Sequence, residues 1–155
     1  MGLNFWRGLA FMAAVYVCAA LQPALAQSVG MDALLKQTGY TYTTHNATTW
    51  SIDLSRKNLG KVKVILSTGS EILVTFVIVA KKAKIQKTPQ MMDTLLTANH
   101  DYDYTKIGLD KDGDLFVRID MPLRTIDSSE LKQIIDQVAN ASDEVYAKVA
   151  TWIKK

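Results

Sequence analysis

Nine consecutive residues, Ile72-Leu73-Val74-Thr75-Phe76-Val77-Ile78-Val79-Ala80, form a run in which only Thr75 is polar and five of the nine are valine or isoleucine. The run is too short to span a bilayer as a helix, which takes about 20 apolar residues. Its β-branched content favours a strand instead. A strand that is apolar on both sides needs cover on both sides. Either helices pack on the two faces of its sheet, or one face is closed by a second subunit. Ile72, Val74, Phe76 and Ile78 occupy one side at period two, and they are the candidate partner-binding residues.

The remaining pattern places this strand within a small α+β domain. Met31, Leu34 and Leu35 share one face of a short helix that stops near Gly39. A Thr/Tyr-rich extended stretch follows from Tyr40 to Leu54, where Trp50, Ile52 and Leu54 alternate with Ser51 and Asp53. Asn58-Leu59-Gly60 is a turn, Lys61 to Leu66 alternates again, and Ser67 to Ser70 is the next turn. Thr88-Pro89 opens a helix with a hydroxyl cap and proline at the first position. That helix fades near Asn99-His100, and a strand from Thr105 to Leu109 follows. The turn Asp110-Lys111-Asp112-Gly113-Asp114 then leads into Leu115, Val117, Ile119 and Met121, which alternate with Phe116, Arg118 and Asp120. Turn and flanks make a hairpin with Asp112-Gly113 as its positive-φ pair. Asp127 and Glu130 stand as a capping box before the longest helix, which is expected to run to about Ile153. The expected order is α-β-β-β-α-β-β-α, an antiparallel sheet with packed helices.

The N-terminus reads as an export signal over residues 1–26. Arg7 supplies the charge, Gly8 to Leu21 the short apolar run, and Ala24-Leu25-Ala26 the small-residue exit after Pro23. Residues 27–155 are then one domain, periplasmic or secreted, with no membrane span after cleavage. The only cysteine, Cys18, falls within the signal. The remaining chain can form no disulfide, thiolate metal site or cysteine nucleophile. Without Arg7, 17 basic residues face 15 acidic ones, too mild a balance to imply nucleic acid.

Reactive chemistry finds little support. Asp110, Asp112 and Asp114 suggest calcium, but an EF-hand needs glycine at the sixth position and a carboxylate at the twelfth. Those positions hold Leu115 and Met121. His45 and His100, the two histidines, lack companions at ligand spacing for zinc, and His100 suits a helix C-terminus. No G-x-S-x-G is present, and the acidic pairs Asp101 with Asp103 and Asp143 with Glu144 read as solvated. No catalytic residue, metal or cofactor is expected. Lys81, Lys82, Lys84 and Lys87 form the one basic cluster. They read as solubilising gatekeepers after the apolar strand or as a weak contact for anionic envelope surfaces or ligands. Asn46-Ala47-Thr48 and Asn140-Ala141-Ser142 are formal glycosylation sequons.

Leu95-Leu96-Thr97-Ala98-Asn99, the hairpin from Ile107 to Leu115, and Arg118 to Leu123 followed by Ser129-Glu130-Leu131 together resemble the YbjN-like family of bacterial sensory-transduction regulators. The element order resembles the type III secretion chaperone-like fold. The resemblance implies a non-enzymatic partner-binding module whose partner is another protein or a second copy of the chain. It supplies no catalytic residues. An export signal departs from those chaperones, which work in the cytoplasm.

Overall fold

The computed structural model describes residues 30–154; the export-signal reading of residues 1–26 lies outside them. The elements run α1 (Met31–Thr38), β1 (Thr43–Asn46), β2 (Thr49–Arg56), β3 (Gly60–Thr68), β4 (Ile72–Ala80), α2 (Pro89–Asp101), β5 (Thr105–Leu109), β6 (Leu115–Pro122) and α3 (Ser128–Val149). The strands form one antiparallel sheet in the order β1-β2-β3-β4-β6-β5. The α+β class and the packed helices are as expected, with one strand more than the sequence reading allowed.

The extra strand comes from the stretch read as continuous between Tyr40 and Leu54. Asn46 Oδ1 accepts from the backbone N–H and the hydroxyl of Thr48, at 2.9 and 3.0 Å. This Asx turn folds the chain back on itself. The first sequon is therefore a hairpin turn, and Thr43 lies opposite Ser51 across it. At the β5–β6 turn only Gly113 has positive φ, +86°, so the expected pair is a single residue. Asp110 Oδ1 accepts from the N–H groups of Asp112 and Asp114 and supplies the rest of the turn. The last helix ends at Val149 and tightens into a 3-10 turn over Ala150–Trp152, four residues earlier than expected.

Both long helices start where their caps predict. Thr88 Oγ1 accepts from Met91 N at 3.1 Å, and Asp127 Oδ1 from Glu130 N at 2.8 Å. The α3 stripe Leu131, Ile134, Ile135, Val138, Val145 and Val149 is buried. It crosses β2, β3, β4 and β6 on one side of the sheet. α1 and α2 flank α3 on that same side. Leu73, Val77 and Val79 of β4 face this layer with Val62, Val64, Leu66, Leu115, Val117 and Ile119.

Asp143, read as solvated, is in fact only 8% exposed and locks the β2–β3 turn to α3. Its Oδ1 accepts from Asn58 N at 2.8 Å and Leu59 N at 2.7 Å, and its Oδ2 from Asn58 Nδ2 at 2.9 Å. Burial alone would raise the Asp143 carboxyl, but the hydrogen bonds from Leu59 and Asn58 prevail and hold it below the usual carboxylate value. Thr75, the one polar residue of β4, is fully buried, and its hydroxyl meets no partner among the described residues.

Two stability measurements check these assignments by urea denaturation. Asp143→Ala leaves two turn amides without their acceptor and is expected to cost about 2 kcal/mol. Because the folded carboxyl is the stronger acid, its contribution is complete above the ordinary carboxylate value and fades as pH falls through the lower folded value. The gap between wild type and Asp143→Ala should therefore close in acid. Thr75→Val removes an unpaired buried hydroxyl and is expected to stabilise by about 1 kcal/mol.

Candidate functional site

Strand alternation and one-sided helices leave the opposite sheet face without cover from the described residues. Ile72 is 48% exposed, and Val74, Phe76 and Ile78 are half-buried on that outer face. The structure thus brings the four expected partner-binding residues into one row along a central strand. Register adds residues the sequence reading did not single out. Ile65 of β3 lies opposite Phe76, while Phe116 and Pro122 of β6 lie opposite Ile78 and Ile72. Period two alone could not find them, because which residues neighbour β4 depends on strand order.

Charged groups rim this apolar patch on both flanks. On the β2–β3 side Asp53 pairs with Lys63 at 3.0 Å and Lys61 at 3.6 Å. On the β5–β6 side Asp120 Oδ2 pairs with Lys106 at 2.7 Å and Arg118 at 2.8 Å. Burial works against the Asp120 carboxylate, yet Lys106 and Arg118 hold it below its usual value. The Arg118 guanidinium also lies 5.8 Å from the Phe116 ring centroid. Arg118 Nε and Asp120 Oδ1 are buried and have no hydrogen-bond partner among the described residues. An apolar patch with a polar rim is the surface pattern of a binding face.

The two histidines lie far apart in function. His45 Nε2 sits 2.8 Å from Ser51 Oγ at the β1 edge. No carboxylate pairs with the His45 ring among the described residues, and the serine is only 4% exposed. A nucleophile–base pair requires an orienting group and an accessible hydroxyl, so this contact fits a bond across the hairpin. His100 is exposed in the last turn of α2, with Asp101 3.8 Å away.

The lysine cluster divides. Lys81 Nζ donates to Asp114 Oδ2 at 2.7 Å, and the backbone N–H of Lys82 donates to Asp114 Oδ1 at 2.8 Å. Asp114 therefore clamps the end of β4 to the hairpin turn. Hydrogen bonding from Lys81 foremost holds the Asp114 carboxyl below its usual value. Lys82, Lys84 and Lys87 take no part in the ion pairs among the described residues.

The chain matches the YbjN family, "Putative bacterial sensory transduction regulator", over residues 30–151. It belongs to that family. A chain of the heterodimeric complex ExoU-SpcU from the type III secretion system of Pseudomonas aeruginosa is similar in structure, with a TM-score of 0.57 at 14% identity. The match covers 78% of this YbjN chain and 98% of that one. A chain of the HopA1-SchA chaperone-effector complex gives a TM-score of 0.49 at 15% identity, covering 84% of this chain and 98% of that one. No curated protein matches the chain. The fold of this YbjN domain is the type III secretion chaperone-like fold.

The two sides of β4 can be told apart by substitution. Val77→Ser, on the helix-covered side, is expected to cost about 3 kcal/mol. Val74→Ser, on the outer side, should cost no more than about 1 kcal/mol. Denaturant midpoints of the two variants measure the difference.

Proposed function

We propose that this YbjN protein is a non-enzymatic, chaperone-like binding protein, exported to the periplasm or beyond, that holds a segment of another protein on the outer face of its sheet. The observation that carries this reading is the apolar row Ile72, Val74, Phe76 and Ile78, continued by Ile65 and Phe116 and left uncovered by the helices among the described residues. Burying such a patch releases its hydration shell, which is the main driving force for protein association. The charged rim sets register and orientation and adds less to affinity. Support for a polypeptide occupant comes from the fold shared with a chain found in a heterodimeric secretion complex. The export reading rests on the N-terminal Arg7, apolar and A-x-A pattern.

A homodimer is the second reading, favoured by one specific feature. The outer row Ile72, Val74, Phe76 and Ile78 is apolar at every position, so a second copy would cover it with like side chains. A two-fold axis over the patch would set this row against its own copy, as an isologous interface requires.

A benzophenone side chain at position 76, with position 57 on the β2–β3 turn as control, tests both readings in the producing cell. Adducts to a different polypeptide at 76 alone, lost when Val74→Glu is added, are the expected result. Adducts of twice the chain mass, with a dimer in light scattering, would favour the homodimer. A strict monomer giving no adduct at either position would exclude both.

A further inference from the structure

The structure assigns a second docking site to this chain: a cationic groove between the segment after β4 and the β5–β6 turn, shaped for an acidic peptide segment that carries an apolar side chain. The groove has a volume of about 420 Å³ and is lined by Lys82, Ile85, Lys87, Leu109, Asp110, Lys111 and Gly113. That volume falls in the lower part of the roughly 300–1,000 Å³ typical of ligand sites. Half-buried Ile85 and Leu109 supply an apolar lining, and the three exposed lysines supply positive charge.

Local geometry keeps that charge available. Lys82 is positioned rather than free. A Cβ at Gly113 would stand 2.9 Å from its Cδ and 3.2 Å from its Cγ, so the lysine stem runs directly across the glycine. Asp114, the nearest buried carboxylate, is already engaged by Lys81 Nζ and by the Lys82 backbone amide. Asp110 Oδ1 is engaged by two turn amides. Lys82, Lys87 and Lys111 join no ion pair among the described residues. Three lysines against the one carboxylate of the lining, Asp110, leave the groove positive, and its lining contains no aromatic ring on which a base could stack. The site is concave, which disfavours a flat bilayer surface. An acidic chain that sets its apolar side chain on Ile85 and Leu109 satisfies both the shape and the charge.

The probe is a fluorescein-labelled pentapeptide of four glutamates around a central leucine, read by anisotropy with the exported domain. Saturable binding at about 50 mM salt, weakened at about 500 mM, is expected. Lys82→Ala combined with Lys111→Ala should weaken it by about tenfold. Arg124→Ala, just past the opposite end of β6 from the β5–β6 turn, should leave it unchanged, as should Phe76→Glu on the outer face. A peptide with serine in place of leucine should bind several-fold more weakly. Equal loss with Arg124→Ala, indifference to the leucine, or no saturable binding would each overturn the assignment. So would lysine-dependent capture by phosphatidylglycerol vesicles in place of the peptide. Because Phe76→Glu separates the two surfaces, failure here is distinct from failure of the outer-face reading.

Discussion

Burying one side of β4 is the constraint around which this domain is built. The strand lies inside the sheet, between β3 and β6, and Leu73, Val77 and Val79 press against the apolar stripe of α3. A helix with one continuous apolar stripe can cover one sheet face and no more. α1 and α2 widen that layer but add nothing to the other side. The hydrophobic demand of β4 is thus met on one flank and left open on the other. The open flank is the surface to which the proposed binding is assigned.

Several polar contacts fasten chain reversals and strand ends. Asp143 holds the β2–β3 turn, Asp114 holds the end of β4 to the β5–β6 turn, and the Trp50 indole N–H donates to Asp32 of α1 at 3.0 Å. Asn99 works differently. Its side-chain amide donates to Ile107 O at 2.9 Å and accepts from Ile107 N at 2.8 Å, the two bonds a neighbouring strand would make. This explains physically why the helix that packs on β5 runs into an asparagine.

Elements with strong periodicity were legible from sequence, and contacts between distant residues were not. The α3 stripe, the caps Thr88 and Asp127, and the alternation of β6 each follow from neighbours a few positions apart. The β1–β2 reversal was missed because its signal is one asparagine bonding a threonine two residues on, inside a stretch with uniform strand propensity. Asp143 was misread because its partners, Asn58 and Leu59, are 85 and 84 residues away, and nothing in the local pattern marks a helix carboxylate as a turn cap. The outer-face row was visible at period two, whereas its extension through Ile65 and Phe116 required the strand order. The lysine cluster looked uniform in sequence, yet folding pairs Lys81 with Asp114 and brings Lys111 beside Lys82 and Lys87.

A small sheet protein can recruit a partner by an edge or by a face, and here the edges are blunted. β5 is closed at its centre by the Asn99 amide, so an incoming strand would have to displace two formed hydrogen bonds. β1 has four residues, all exposed, and an irregular register between Thr44 and Asn46. Short, bulged edge strands resist pairing with other chains. Recognition through backbone hydrogen bonds is therefore disfavoured at both ends of the sheet. What the chain leaves unprotected is side-chain surface at the middle, where Val74 and Phe76 lie between two charged rims. A surface of that kind selects a partner by apolar shape and charge placement, and it can do so while the sheet itself stays guarded against edge-to-edge aggregation.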